Sequence, residues 1–368
     1  MNILLVNWQD LENPQAGGAE IHLFELFGRL ARSGHRVRLV CSGWRGAPRE
    51  AVVDGVEVER HGDRHTFAAV GRAAFRRALA RDRFDVVVED VNKLPLYTAL
   101  GNPVPSCVLV PHLFGTTAFS EASWLMASMV VAAERLIPWA YRRSEFHVIS
   151  ESTRDDLVAR GIPGGRIEVI HPGIDAARFT PGGLDRSEPP SFLYVGRLKR
   201  YKGVEYAIRA LAVVRREVPG VRLDVAGSGD DLPRLEGVAR DLGLGEAVTF
   251  HGFVDEDTKM RLFRTAWANV FPSPKEGWGI TVMEAAACGT PSIASDSPGL
   301  RDSVVAGKTG WLVPHGDVGA LAQRMLELIR HPDQVALAGA AARAHAEAWS
   351  WEDAARATER HLQRLVSR

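Results

Sequence analysis

Two short stretches carry residue types suited to a phosphorylated, polyhydroxylated ligand. In the first, Gly196, Arg197, Leu198, Lys199, Arg200, Tyr201, Lys202 and Gly203 follow the apolar run Phe192 to Val195 and precede a helical stripe of Val204, Ala207, Ile208 and Leu211. This is a cationic loop between a strand and a helix. In an open parallel sheet, ligands bind outside the carboxyl ends of the strands, and a helix N-terminus there offers unbonded N–H groups to an anion. Arg197 can bridge phosphate oxygens with its planar fork, while Lys202 acts as a point charge. Taken alone, the loop reads equally well as a solvated basic turn. The second stretch, Glu276, Gly277, Trp278, Gly279 and Ile280, follows a strand ending at Phe271 and enters a helix stopped by Gly289 and Pro291. It repeats the geometry of the first. Glu284 falls in about the second turn of that helix, and the amides of Gly277 to Ile280 should point toward the same site. Two carboxylates placed this way suit hydroxyl groups.

Other chemistries fit less well. Asp255, Glu256 and Asp257 spell a DxD, which could hold a divalent ion, but they open a helical pattern running through Met260, Leu262 and Phe263. Acids at a helix start cap its amides and favour its dipole, so helix capping explains them without a metal. Gly227-Ser228-Gly229 lacks the third glycine of a dinucleotide fingerprint, and no GxSxG elbow occurs. Cys41, Cys107 and Cys288 are odd in number and far apart, which argues against a disulfide framework or a zinc site and suits a reducing cytoplasm.

These loops need strands and helices to hold them. Apolar runs at Ile3 to Val6, Val37 to Cys41, Val86 to Val88, Val108 to Val110 and Phe146 to Ile149 alternate with helical patterns, the mark of βαβ units around a buried parallel sheet. The clearest helix spans about Glu20 to Ser33, with Ile21, Phe24, Leu26, Phe27 and Leu30 as its apolar stripe and Gly34 beyond its end. A second alternating series has strands at Phe192 to Val195, Leu223 to Ala226, Val248 to Phe250, Asn269 to Phe271, Pro291 to Ala294 and Trp311 to Val313. The 368 residues therefore suit two α/β domains, 1–171 and 191–350, joined by a Gly- and Pro-rich linker over 172–190. The helical pattern of 351–368 is free to cross back to the first domain.

Charge and hydropathy bound the partners. Lys plus Arg equals Asp plus Glu at 45 each, so no overall field attracts nucleic acid or an anionic membrane. The N-terminal run Met1 to Asn7 reads as a buried strand rather than a signal peptide. The longest apolar stretch, Ala122 to Ala133, is too short to span a bilayer and reads as a buried helix. Arg72, Arg76, Arg77, Arg81 and Arg83 flank Phe75 and Leu79 on a basic helix, open to two readings: a solvated face, or peripheral contact at the inner face of a membrane.

With Arg197, Lys202, Glu276 and Glu284 in this order, the chain resembles the family-4 glycosyltransferases of GT-B architecture over nearly its whole length. Supporting stretches are Gly17-Gly18-Ala19-Glu20 after the first strand, Ile170 to Phe179, Gly227-Ser228-Gly229, His251-Gly252-Phe253-Val254 and Gly289-Thr290-Pro291. The resemblance implies two Rossmann-like doubly wound domains facing each other across a cleft, the first on the acceptor side and the second binding a nucleotide sugar. It implies that Arg197 and Lys202 hold the donor diphosphate and Glu284 the ribose hydroxyls. Glu276 and the amides of Gly277, Trp278, Gly279 and Ile280 would hold the transferred sugar, with Val254 also among the donor-binding residues. Gly17 and Gly18 would let the first domain's loop approach the phosphates closely, and His112 matches the family's histidine near the sugar. Ala286 stands where the family pattern often has Asn, and His171-Pro172-Gly173-Ile174 replaces its usual Asn-Gly-Val, so fine donor specificity does not transfer.

The resulting expectation is a soluble, cytoplasmic, retaining hexosyltransferase that needs neither metal nor cofactor. It would take a UDP- or GDP-sugar as donor and a glycan, lipid or small molecule as acceptor, without nucleic-acid partners. A nucleotide-sugar epimerase or hydrolase of the same fold is the enzymatic alternative, separated by product analysis with donor alone. A donor-binding protein without turnover is the other, marked by tight nucleotide binding and no product.

Overall fold

The computed structural model describes residues 1–121, 123–183 and 185–368. The chain forms two compact units, Met1–Gly173 with Trp351–Arg368, and Ile174–Ser350.

Among the described residues, unit 1 holds an eight-stranded sheet. Its strands are β1 (Asn2–Val6), β2 (Arg36–Gly43), β3 (Glu50–Val53), β4 (Val56–Asp63), β5 (Val86–Asp90), β6 (Ser106–Val110), β7 (Glu145–Val148) and β8 (Ile167–Val169), in spatial order β3-β4-β2-β1-β5-β6-β7-β8. All neighbours run parallel except the β3–β4 hairpin. β5 and β6 are buried along their whole length, as both-face coverage by helices demands of Val-rich runs. The apolar runs foretell the central strands but omit β3, β4 and β8. The signal for the hairpin lies in Asp54-Gly55, where φ is positive at both residues, 48° and 81°, as a two-residue turn of matching twist requires.

The helix Gly18–Arg32 packs Leu23, Phe24, Leu26, Phe27 and Leu30 inward. Ile21 is not in that stripe: it is 44 % exposed, because Leu23 and Phe27 centre the buried arc and position 21 falls on the far side. The helix Trp351–Val366 returns to unit 1, where Trp351, Ala354, Ala355, Leu362 and Leu365 join the same core as Phe24 and Phe27. The ion pair Arg29–Glu352 and a hydrogen bond between His35 Nε2 and Glu359, each at 2.9 Å, fix it in place.

The basic helix is Phe67–Arg81, and its apolar side is already in use. Phe67, Ala74, Phe75 and Ala78 are buried, Arg72 donates to the Leu100 carbonyl, and Arg81 pairs with Glu59. No apolar stripe of this helix remains for a bilayer. The apolar run expected from Ala122 is described from Trp124, as the helix Trp124–Arg135; Ala122 lies outside the described residues. Among those residues no helix is long and apolar enough to cross a membrane.

Unit 2 holds a parallel sheet of β9 (Ser191–Val195), β10 (Arg222–Ala226), β11 (Val248–Gly252), β12 (Ala268–Phe271), β13 (Ser292–Ser295) and β14 (Gly310–Val313), in the order β11-β10-β9-β12-β13-β14. From β9 the chain winds outward through β10 to β11, then returns to β12 beside β9 and winds the other way. β9 and β12 therefore flank a topological switch point, where the following loops diverge and leave a crevice. The run read as a linker is tied to this unit from Ile174 on: Arg343 donates to the carbonyls of Ala176 and Phe179, and Arg264 to that of Thr180. Leu184 lies outside the described residues.

Candidate functional site

The loop leaving β9 is shaped by the loop leaving β10. The Gly196 N–H donates to the Ala226 carbonyl at 3.0 Å and the Leu198 N–H to that of Ser228 at 2.9 Å. A Cβ on Gly227 would stand 1.9 Å from the Gly196 carbonyl oxygen, and one on Gly229 would stand 2.0 Å from that of Leu198. Glycine at both positions is what lets Gly227-Ser228-Gly229 press against the cationic loop. The loop then makes one tight turn, Arg200–Lys202, before the helix Val204–Val214. Arg197 is exposed, while its carbonyl accepts the hydroxyl of buried Tyr194 at 3.1 Å.

Lys202 points inward. Its ammonium lies 5.0 Å from the Tyr201 ring centroid and 2.5 Å from Glu276 Oε1, with the two charged side chains only 11 % and 14 % exposed. Burial disfavours the ammonium, but the Glu276 carboxylate beside it outweighs that cost and raises the Lys202 pKa. This pair joins the loops after β9 and β12 at the switch point.

The Glu276 loop is built by contacts with the segment after β13. The Glu276 N–H donates to the Pro298 carbonyl at 3.1 Å and the Ser297 hydroxyl to that of Ser273 at 2.9 Å. Gly299 has φ 80°, and a Cβ there would fall 2.2 Å from the Glu276 carbonyl oxygen. Trp278 is buried with its ring 6.0 Å from Trp349, so its side chain anchors the loop and only its backbone is placed to meet a ligand. Gly279, at φ 88°, turns the chain into the helix Ile280–Ala287. The N–H groups at the start of that helix have no partner within it, so Gly277 to Ile280 form its anion-attracting end.

Glu284 lies on this helix with its side chain 16 % exposed, and Lys259 reaches it at 3.1 Å while also pairing with Glu256 at 2.9 Å. Burial pushes the Glu284 carboxyl above its usual range, against the pull of Lys259. Asp255 caps the helix Glu256–Thr265, its carboxylate accepting the Thr258 N–H at 2.8 Å. Val254 is half-buried just before it, and Phe253 is 86 % exposed beyond β11.

In unit 1 the loop after β1 ends at Gly17, whose N–H donates to Glu20 at 2.8 Å. Gly17 is extended and Gly18 begins the helix, so the fold of unit 1 itself does not demand glycine for backbone conformation at Gly17. His112 follows β6, half-buried and edge-on to Phe114 at 5.2 Å. At the β1–β5 switch point a buried polar cluster collects: Asn92 donates to Asn7 at 3.0 Å, Lys93 to Gln9 at 2.9 Å, and burial holds the Asp90 carboxyl well above its usual range.

The structure thus joins Lys202 directly to Glu276 and sets Glu284 against Lys259. The sequence motifs did not point to Lys259, Gly299 or the Asp90 cluster. Lys259 offered a local signal, its spacing of three from Glu256, but nothing in sequence pointed it at Glu284. Among the described residues no group of three or more His, Cys, Asp or Glu is arranged to hold a metal ion.

Comparison with known proteins places this geometry. Residues 16–178 match the family described as Glycosyltransferase Family 4, and residues 180–345 match Glycosyl transferases group 1. Glycogen synthase of Mycobacterium tuberculosis is 31 % identical over 392 aligned positions, covering 97 % of this chain and 93 % of the relative. A GDP-mannose-dependent alpha-(1-6)-phosphatidylinositol monomannoside mannosyltransferase of Mycolicibacterium smegmatis is 29 % identical, with 92 % of each chain covered. Among solved structures, sucrose-phosphate synthase from Thermosynechococcus elongatus superposes with a TM-score of 0.85 at 23 % identity, covering 100 % of this chain and 99 % of the other. HepE from Anabaena in complex with UDP-glucose superposes at 0.78 and 18 %, with 99 % of each chain covered.

Proposed function

Because the chain belongs to the family-4 glycosyltransferases, of GT-B fold, we propose that it is a retaining, metal-independent hexosyltransferase working in the cytoplasm. It moves a sugar from a UDP- or GDP-sugar to a glycan, lipid or small-molecule acceptor. The observation that carries this reading is the buried Lys202–Glu276 pair at the switch point of unit 2. Relatives named for GDP-mannose and neighbours solved with UDP-glucose support the donor class, and three buried free cysteines suit a reducing compartment.

In the proposed site, Arg197 and Lys202 bind the diphosphate, and the helix end at Gly277 to Ile280 adds its N–H groups. Glu276 accepts hydroxyls of the transferred sugar and Glu284 those of the ribose. The half-buried Val254 and exposed Phe253 stand on the nucleotide side. In unit 1, Gly17 and Gly18 keep a loop without Cβ atoms for a phosphate to approach, and His112 is assigned to the sugar by family resemblance.

During transfer the bond from the anomeric carbon to the diphosphate oxygen breaks, and the electron pair leaves with the diphosphate. The acceptor oxygen bonds the same carbon from the same face, and its proton passes to a donor phosphate oxygen. Arg197, Lys202 and the helix amides stabilise the negative charge that grows on the leaving group, the task a divalent ion performs elsewhere. Product NMR in excess EDTA tests the reading: retained configuration and undiminished turnover are expected. An inverted centre, or activity restored only by added metal, would overturn it.

A further inference from the structure

A surface helix in water ordinarily turns its polar residues outward. The helix Trp124–Arg135 does the opposite. Its buried positions are Ala127 and Glu134, and the Glu134 carboxylate accepts the N–H groups of Phe114 and Gly115 at 2.6 and 2.9 Å and pairs with Arg160 at 3.3 Å. Outward stand Trp124, Leu125, Met126 and Met129, with exposures of 75, 65, 60 and 55 %. The short helix Ile137–Ala140 extends the surface, with Leu136 before it and Trp139 on it, 49 % and 58 % exposed. Of the seventeen large apolar side chains exposed among the described residues, seven fall between residues 119 and 139, so this is a patch and not scatter.

The patch has a definite order. At helical period, Leu125, Met129, Ala132 and Leu136 form one stripe, with Trp124 and Arg135 along its flank. From Trp124 to Arg143 the only carboxylate is the buried Glu134, while Arg135, Arg142 and Arg143 are exposed, so the outward charge is wholly positive. Exposed tryptophans beside an aliphatic stripe and a positive margin match a lipid headgroup boundary, where indoles sit at headgroup depth and guanidinium groups meet anionic phosphates. A second copy is a poor occupant, because a two-fold contact would bring the arginines of both chains together.

We propose that the face formed by Trp124–Arg135 and Ile137–Ala140 docks on an anionic phospholipid bilayer, with both helices lying in the plane of the interface. The docking surface does not depend on the donor-site reading. The apolar side of Phe67–Arg81, the other basic helix, is occupied by the core of unit 1.

The test is co-sedimentation of the full chain with phosphatidylcholine vesicles, with and without phosphatidylglycerol. Binding is expected only with phosphatidylglycerol and should weaken as salt rises. Leu125→Glu and Met129→Glu replace exposed side chains, so unfolding temperature should hold while each weakens vesicle binding about tenfold or more. Arg142→Glu should cost at least about fivefold. Vesicles should shift the tryptophan emission to the blue, and the shift should shrink in Trp124→Phe with Trp139→Phe. Wild-type protein left in the supernatant at low salt, or L125E and M129E variants that bind unchanged, would overturn the proposal. So would a wild-type dimer that L125E dissociates, or loss of binding in Arg76→Glu with Arg77→Glu, which would give the contact to the other helix.

Discussion

Glu276→Gln separates two roles that the buried ion pair ties together. The Lys202 ammonium is held by Glu276 at 2.5 Å, and both side chains are nearly out of water. In the proposed site an arriving diphosphate draws that ammonium toward itself while standing close to the carboxylate. At an effective dielectric near 20, one unit charge repels another by about 4 kcal/mol at 4 Å, and the neighbouring lysine offsets much of this. A net relief of about 1 to 2 kcal/mol follows from removing the carboxylate charge, equivalent to about five- to thirtyfold tighter binding of UDP or GDP. Transfer should nevertheless fall about a hundredfold, because a neutral amide in place of the Glu276 carboxylate no longer supplies a charged acceptor to the sugar in the transition state. Lys202→Met should act in the opposite direction on binding, since the diphosphate loses a desolvated charge partner worth about 3 to 5 kcal/mol and meets an unpaired Glu276 carboxylate. The raised Lys202 pKa means the pair's contribution is complete below the unfolded value of 10.5 and is lost only as pH climbs through the higher folded value. Buffer pH in the neutral range therefore does not confound the comparison. Isothermal titration calorimetry of UDP and GDP, with thermal unfolding as the control for folding, measures both effects. If Glu276→Gln binds neither nucleotide more tightly, or Lys202→Met binds the preferred one like wild type, the electrostatic argument for this site fails.

Other expectations follow from the same structure. The raised Glu284 pKa means the folded state takes up a proton more readily than the unfolded chain, so this group lowers stability as pH rises toward neutrality; Glu284→Gln should raise the unfolding temperature at pH 7 while weakening nucleotide binding about tenfold or more, a trade seen by pairing calorimetry with thermal melts. Gly299→Ala, whose Cβ would strike the Glu276 carbonyl, should lower turnover more than stability, and kinetics matching wild type would show that the loop tolerates the shift. Buried His22 has its pKa lowered from 6.5 to about 4 by desolvation, so its contribution to stability is full above pH 6.5 and declines as the pH falls toward 4. Urea unfolding should lose about 2 kcal/mol from this group between pH 7 and pH 5, and His22→Phe should flatten that slope.

Local chemistry made much of this protein legible in its sequence. Runs such as Phe192 to Val195 and Val108 to Val110 read as strands because parallel sheets covered on both faces admit little else. Arg197, Lys202, Glu276 and Glu284 could be singled out because a strand, a short polar loop and a helix in succession place those side chains at a sheet's carboxyl edge. Periodicity also groups residues on a helix face, but it does not say which face is covered. Three helices show this. Ile21 shares its helix with the core residues yet faces solvent, Phe75 of the basic helix turns inward, and Leu125 and Met129 turn outward while Glu134 is buried. Coverage depends on what lies opposite, and that is supplied by segments remote in the chain, as the packing of Trp351–Val366 on unit 1 illustrates. The same limit applies to the candidate site. Lys202 and Glu276 stand 74 positions apart and meet because strand order sets β9 beside β12. Residue types and local geometry are properties of neighbours in sequence, whereas charge pairing, burial and the pKa shifts they cause are properties of neighbours in space, and only the tertiary structure decides those.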